Sequence, residues 1–241
     1  MGWSFSLEQH TVSNRIPPGI TSRYDTVVTD QRCGDRTFRI LTVRDPGTLL
    51  DAITPSAFAV DERLPYWAEL WTSALVLAGR CIASPALAGK RVLDLGCGLG
   101  MTGIAAAAAG AHVLFTDYEE DALAFAAWNA RENLTPDEHA RCAFRTGDWR
   151  APETFGVFDV VLGADIVYER RAFAPLLACL HATVAPTGEA WLAEPDRTLG
   201  HDFFALARTE HWHVDLEATT VERRGRISTV RIAHLRPAGA A

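Results

Sequence analysis

The chain has 241 residues with 48% hydrophobic content, enough for one large domain, or one domain with an added segment, around a packed core. Its net charge of −7, with no concentrated Lys/Arg stripe, argues against a nucleic-acid partner. Five cysteines (Cys33, Cys81, Cys97, Cys142 and Cys179) form no Cys-x-x-Cys pair, which counts against a disulfide framework or zinc site and favours a reducing, cytoplasmic compartment. No apolar run approaches membrane-spanning length and Met1–Ile20 lacks a secretory core, so no membrane partner is expected.

Residues 1 to about 20 are polar and end in Ile16-Pro17-Pro18-Gly19, which reads as a poorly structured lead-in. Tyr24–Asp30 and Thr37–Val43 are β-rich, and the turn signal Cys33-Gly34-Asp35 joins them as a hairpin. Asp45-Pro46-Gly47 breaks the chain before a short helix over Thr48–Ile53. Residues 1–63 are thus expected to form an N-terminal extension with a β-hairpin, and 64–241 the main domain. Leu64–Trp71 is aromatic, and Thr72–Ile82 predicts a helix capped by Thr72 or Ser73.

From Arg91 onward, strand and helix alternate. Strands are expected at Arg91–Leu95, His112–Thr116, near Arg141–Thr146, at Val157–Gly163 and at Glu189–Ala193, with helices at Met101–Ala109, Glu119–Glu132 and Arg171–Val184. A helix over His201–Thr209 precedes two last strands, His211–Thr219 and Arg226–Leu235, whose short linker pairs them antiparallel. This pattern is a doubly wound α/β fold: a mostly parallel seven-stranded sheet with a C-terminal antiparallel hairpin.

Chemistry concentrates at the ends of these strands. After Leu95 come Gly96-Cys97-Gly98-Leu99-Gly100 and an alanine-rich helix, and the acid Asp117 lies 23 residues after Asp94. A glycine turn between strand and helix, with an acid about 20 residues on, builds a nucleotide-type pocket in which the carboxylate takes ribose hydroxyls. A dinucleotide fold wants glycine at the sixth position of the turn, where this chain has Met101, and a phosphate-gripping loop wants a lysine that Leu99-Gly100-Met101-Thr102 lacks. Asp94 ahead of the turn suits a cationic ligand, so the spacing favours S-adenosylmethionine (AdoMet), with its sulfonium and ammonium charges. A turn that binds nothing is the plainer alternative.

The segment Asp159–Tyr168 is the second signal: a buried strand delivers Asp165 and Tyr168 to the sheet edge where open α/β folds bind ligands. The alternative is that Asp165 caps a helix beginning near Glu169 while Tyr168 packs. His211-Trp212-His213 offers no further ligand, so no metal is expected.

Four motifs occur in order: Pro65-Tyr66-Trp67-Ala68-Glu69-Leu70-Trp71, Leu93-Asp94-Leu95-Gly96-Cys97-Gly98-Leu99-Gly100, Asp148-Trp149 and Ala164-Asp165-Ile166-Val167-Tyr168. Together they resemble the seven-strand (class I) methyltransferases of family 16, which include many protein-lysine methyltransferases; the Asp-x-x-Tyr after strand four is that family's hallmark. Glu194-Pro195-Asp196-Arg197 is similar to the Asp-Pro-Gly-Arg of the branch that methylates the β subunit of electron-transfer flavoprotein, from which it differs at two positions. The resemblance covers about Leu64 to Arg197.

The resemblance implies that Trp71 lines the AdoMet pocket near its methionine portion, and that Gly96, Cys97 and Gly98 contact it through the main chain. It further implies Asp117 on the ribose, Tyr118, Trp149 and Asp148 at the adenine, and Ala164 touching the cofactor through its backbone. Asp165 would orient the incoming amine, with Tyr168 as an aromatic wall. Each has a plain counterpart: Trp71 and Trp149 as core, Cys97 as a small filler. The expected activity is N-methylation of lysine in a protein substrate. The rivals are a small-molecule N- or O-methyltransferase and a catalytically inactive AdoMet-binding module.

Overall fold

Strand polarity and helix placement organise the chain around one large sheet and one small one in the computed structural model, which describes residues 3–4, 9–10, 16–51, 64–223 and 225–239. The N-terminal part comprises β1 (Trp3–Ser4), β2 (Gln9–His10), α1 (Pro18–Thr21), β3 (Thr26–Cys33), β4 (Arg36–Val43) and α2 (Gly47–Asp51). The remainder alternates as α3 (Thr72–Ile82), β5 (Arg91–Leu95), α4 (Met101–Ala108), β6 (His112–Asp117), α5 (Glu120–Asn133), α6 (Pro136–His139) and β7 (Cys142–Thr146). It continues with β8 (Phe158–Ala164), α7 (Phe173–Thr183), β9 (Val184–Glu194), α8 (Thr198–Thr209), β10 (Trp212–Arg223) and β11 (Arg226–Pro237).

The large sheet has the order β1-β10-β11-β9-β8-β5-β6-β7. Strands β5 to β9 are mutually parallel where they pair, and β11 alone runs against its neighbours β9 and β10. This is the expected seven-stranded doubly wound sheet, widened by the two residues of β1, which pair parallel with β10. Side chains alternate across β5: Val92 joins the core under α3, α4 and α5, while Leu93 and Leu95 join the core under α7 and α8.

Several expectations need correction. The lead-in is not wholly irregular: Gln9–His10 adds a third strand to the hairpin, and Pro18 opens α1, where its missing N–H is not needed. Neither Thr72 nor Ser73 caps α3; Trp71 holds the N-cap position without a side-chain bond, and Ser73 is buried inside the helix. The last two strands run longer than expected, with Arg223 opposite Arg226, because the polar run from Val221 continues the ladder. The expected helix over Thr48–Ile53 is shifted to Gly47–Asp51, and its last two residues lie outside the described ones.

The small sheet packs on α5 through side-chain amides. Asn129 Oδ1 accepts from Leu41 N (2.7 Å) and its Nδ2 donates to Leu41 O (3.2 Å). Asn133 does the same for Arg39, at 2.6 and 2.8 Å. Two asparagines one helical turn apart therefore satisfy alternate residues of β4 as a neighbouring strand would. Asn129 Nδ2 also donates to Leu99 O (2.9 Å), tying the small sheet to the glycine turn. Phe38, Ile40 and Leu41 then share the core of α3–α5.

Asn129 is fully buried, and Asn129→Leu leaves Leu41 N–H, Leu41 C=O and Leu99 C=O without this partner. At the lower end of the roughly 1–3 kcal/mol range for each buried unsatisfied group, the expected loss over the three is about 3–5 kcal/mol. Urea unfolding checks this, and a loss under about 1 kcal/mol would show that the amide is not a clamp.

Candidate active site

The site forms where β5 and β8 lie side by side. After β5 the chain turns with positive φ at Gly96 (64°) and Gly98 (50°), conformations that favour glycine. A Cβ on Gly100 would come within 2.9 Å of Ala126 Cβ, so this third glycine lets α4 and α5 approach closely. The turn is pinned to β6: Cys97 N donates to Thr116 O (2.9 Å) and Gly98 N to Asp117 Oδ2 (2.9 Å).

Three carboxylates sit at this edge in different settings. Asp117 ends β6, with Oδ2 accepting from Gly98 N and Oδ1 from Glu119 N (3.0 Å). Burial pushes its carboxyl up to about 6, against the pull of the Glu119 and Gly98 amides. Asp94 Oδ2 accepts from Gly103 N (2.9 Å) in the first turn of α4, and burial raises this acid to about 7. Asp165, just past β8, has φ of 56° and donates its N–H to Ala193 O on β9 (2.8 Å).

Burial lifts Asp165 to about 6, opposed by the Ser73 hydroxyl and the Arg197 guanidinium and reinforced by Glu194 and Glu69. Arg197 Nη1 stands 3.6 Å from Asp165 Oδ1. Among the described residues, neither that oxygen nor Ser73 Oγ closes a hydrogen bond of good geometry, although both are buried. Asp165 does not cap the following turn, whose N-cap is Glu169.

A cavity of about 420 Å³ joins these elements. It is lined by eleven of the candidate residues: Trp71, Asp94, Gly96, Cys97, Gly98, Asp117, Tyr118, Trp149, Ala164, Asp165 and Tyr168. Gly100 is not among the lining residues; its α-carbon faces α5 instead. Asp148 opens on an adjoining cavity of about 190 Å³, shared with Tyr118, Trp149 and Tyr168, and binds Arg150 Nε (2.8 Å). Tyr66 forms an edge-on aromatic wall with Tyr168 (5.4 Å between centroids) and Trp71 (6.1 Å), and Trp71 Nε1 donates to Tyr66 O (2.8 Å). Burial pushes the Tyr168 phenol up to about 12 and the Cys97 thiol well above its ordinary range, so both stay neutral at pH 7.

The structure adds Glu69, Ala74, Thr102, Ile166, Glu169 and Arg197 to the lining. Arg197 carried a signal, in the tetrapeptide after strand five. Ala74 and Thr102 carried none, since only the docking of α3 and α4 turns them inward. Among the described residues there is no cluster of His, Cys, Asp and Glu arranged to hold a metal ion, and no helix long and apolar enough to cross a membrane.

The profile of the lysine methyltransferase family matches residues 66–208, more than half of the chain. EEF1A lysine methyltransferase 3 of Mus musculus is 33% identical over 183 residues, which cover 73% of this chain and 77% of that protein. Protein N-lysine methyltransferase METTL21A of Xenopus tropicalis is 38% identical over 112 residues, 46% of this chain and 52% of the relative. Among solved structures, the SAM-bound magnesium protoporphyrin IX methyltransferase of Synechocystis PCC 6803 aligns with a TM-score of 0.55 at 20% identity, over 80% of this chain and 97% of that one. Fold, glycine turn and family profile define a class I, AdoMet-dependent methyltransferase. Within that class the chain belongs to the lysine methyltransferase family.

The three raised acids set a pH dependence of folding. Their folded values (about 7, 6 and 6 for Asp94, Asp117 and Asp165) exceed the ordinary aspartate value of 3.8. The folded state therefore holds more protons between about pH 4 and 7, and stability from these groups is lost as pH rises through that window. Thermal melts should show a lower Tm at pH 7.5 than at 5.5. Asp94→Asn, which can still accept from Gly103 N, should flatten that slope; an unchanged slope removes Asp94 as its source.

Proposed function

We propose that the protein methylates a lysine side chain of a protein substrate, with Asp165 and Tyr168 presenting the acceptor. The observation that carries this reading is Asp165 Oδ1: a buried carboxylate oxygen without a hydrogen bond among the described residues, in an aromatic-walled cavity continuous with the glycine turn. Buried polar atoms are rarely left without partners, so this oxygen suits a donor brought by the substrate. The family membership and the two lysine methyltransferase relatives support the same acceptor.

The residues fit AdoMet. Asp117 spends one lone pair of each oxygen on a backbone N–H, which fixes the carboxylate and leaves capacity to accept from a diol. In this reading Tyr118, Trp149 and, from the adjoining cavity, Asp148 hold the adenine. Gly96, Cys97, Gly98 and Ala164 offer main-chain groups, Trp71 covers the methionine portion, and Asp94 and Asp117 favour positive charge. Gly100 acts through the docking of α4. When bound, AdoMet supplies an electrophilic methyl carbon on a sulfonium.

The chain's own part is to present an uncharged nucleophile. Lysine at its ordinary pKa of about 10.4 is protonated at neutral pH. Tyr66, Trp71 and Tyr168 disfavour the ammonium by excluding water. A charged Asp165 would stabilise that ammonium, so its contribution is orientation and relay of the proton to water. The neutral Tyr168 hydroxyl can donate a hydrogen bond but is no base at pH 7. Most of the rate then comes from alignment. The five free cysteines support the cytoplasm as the compartment.

Incubation with labelled AdoMet and cell extract should label a protein at lysine; label confined to small molecules would sink the protein-lysine reading, and no AdoMet binding would leave an inactive module. Asp165→Asn should abolish turnover while AdoMet affinity by calorimetry stays within about threefold, a change of under 1 kcal/mol. Wild-type rates in that variant would remove Asp165 from the chemistry. AdoMet affinity should also weaken as pH falls through about 6, where Asp117 takes up a proton and loses acceptor capacity. Asp117→Ala should bind weakly at every pH, and unaltered affinity in it would exclude the ribose role.

A further inference from the structure

The loop after β9 carries an ion-pair network that the chemistry above does not use. Glu194, the last residue of β9, and Arg231, in β11, are 1% and 7% exposed at their side chains. Arg231 Nε donates to Glu194 Oε1 (2.7 Å). Glu194 Oε2 accepts from the main-chain N–H of Arg197 (2.9 Å), and Arg231 Nη2 donates to the main-chain carbonyl of Arg197 (3.3 Å). One buried pair thus grips both backbone polar groups of Arg197, whose side chain reaches Asp165.

The surroundings are built for this grip. Arg231 Nε also stands 3.0 Å from Asp196 Oδ1, on a residue whose φ of 30° is unusual outside glycine. A Cβ on Gly200 would lie 2.5 Å from Glu194 Cδ, so the first turn of α8 leaves room for the carboxylate only with glycine there. Taking two charges out of water is costly, and an apolar pair would join β9 to β11 as well. An apolar pair could not hold the Arg197 backbone.

We propose that the Glu194–Arg231 pair sets Arg197 against Asp165, which makes Arg231, on the last strand, a positioning residue for methyl transfer. The proposal rests on the reading of Asp165 given above. Asp165 is faced by Ser73 from α3, Glu69 from the segment before it, Glu194 at the end of β9, and Arg197. Arg197 is the only cation of that set, so a misplaced Arg197 leaves the Ser73 hydroxyl alone to oppose burial and the two acids at Asp165.

The test follows the Asp165 carboxyl by ¹³C NMR in aspartate-labelled protein without ligand, beside methyl incorporation from labelled AdoMet into extract protein. Arg231→Met should move the Asp165 midpoint to higher pH and cut incorporation about tenfold or more, with AdoMet affinity within about threefold, which is under 1 kcal/mol. Arg197→Gln, at a half-exposed side chain that threatens folding little, should give the same shift, and the double variant should shift no further. Arg231→Lys, which keeps the charge but not the planar fork, should lie between. An unmoved midpoint in Arg197→Gln overturns the proposal even if Arg231→Met does not fold, and so does an additive double variant. An inactive Asp165→Asn beside unmoved midpoints sinks this proposal alone; a fully active Asp165→Asn sinks the reading of Asp165 and this proposal with it.

Discussion

Strands β5 and β8 pair in parallel, but the helices that follow them leave to opposite faces of the sheet, and the site depends on that divergence. α4 packs in the core with α3 and α5, whereas α7 packs with α8 on the other side. A cavity opens at the carboxyl ends between them, at this reversal of strand order. The ladder fixes its width: Val92 opposite Val160, Leu93 opposite Val161 and Asp94 opposite Leu162. The separation of the glycine turn from Asp165 is therefore set by strand register rather than by loops.

Burial at that edge sorts the three acids by how many partners the protein gives them. Asp117 has two backbone donors, Asp94 has one, and Asp165 has an arginine 3.6 Å from Oδ1, an oxygen that closes no hydrogen bond among the described residues. A backbone donor on each oxygen fixes the Asp117 carboxylate while leaving a lone pair on each, whereas an oxygen with no hydrogen bond has its whole capacity for a donor brought from outside. In the proposed function the acceptor amine uses that capacity.

Both ends of the chain brace the site from behind. The small N-terminal sheet reaches the glycine turn through Asn129 and Leu99, and the last strand reaches the loop beside Asp165 through Arg231. Both braces use side-chain groups that bond main-chain atoms. Such contacts specify position more sharply than apolar packing, because a misplaced partner leaves a buried polar group unsatisfied.

The local pattern of the sequence carried much of this. Gly96, Gly98 and Asp117 announce their geometry because a positive-φ turn and a strand-end acid are properties of a few consecutive residues. The apolar run before Ala164 likewise announces a strand buried on both faces. The helix cap at Trp71, the strands β1 and β2, the inward turn of Ala74 and Thr102, and the Asn129 and Arg231 contacts were not legible. Each depends on which elements meet, across 88 residues for Asn129 and Leu41 and 37 for Arg231 and Glu194, and the chain bears no local mark of such a meeting. Sequence by itself determined the strand order's raw material, the turn and the acids; tertiary structure alone decided which buried charges are answered and which face the cavity, because desolvation and hydrogen bonding are set by neighbours in space.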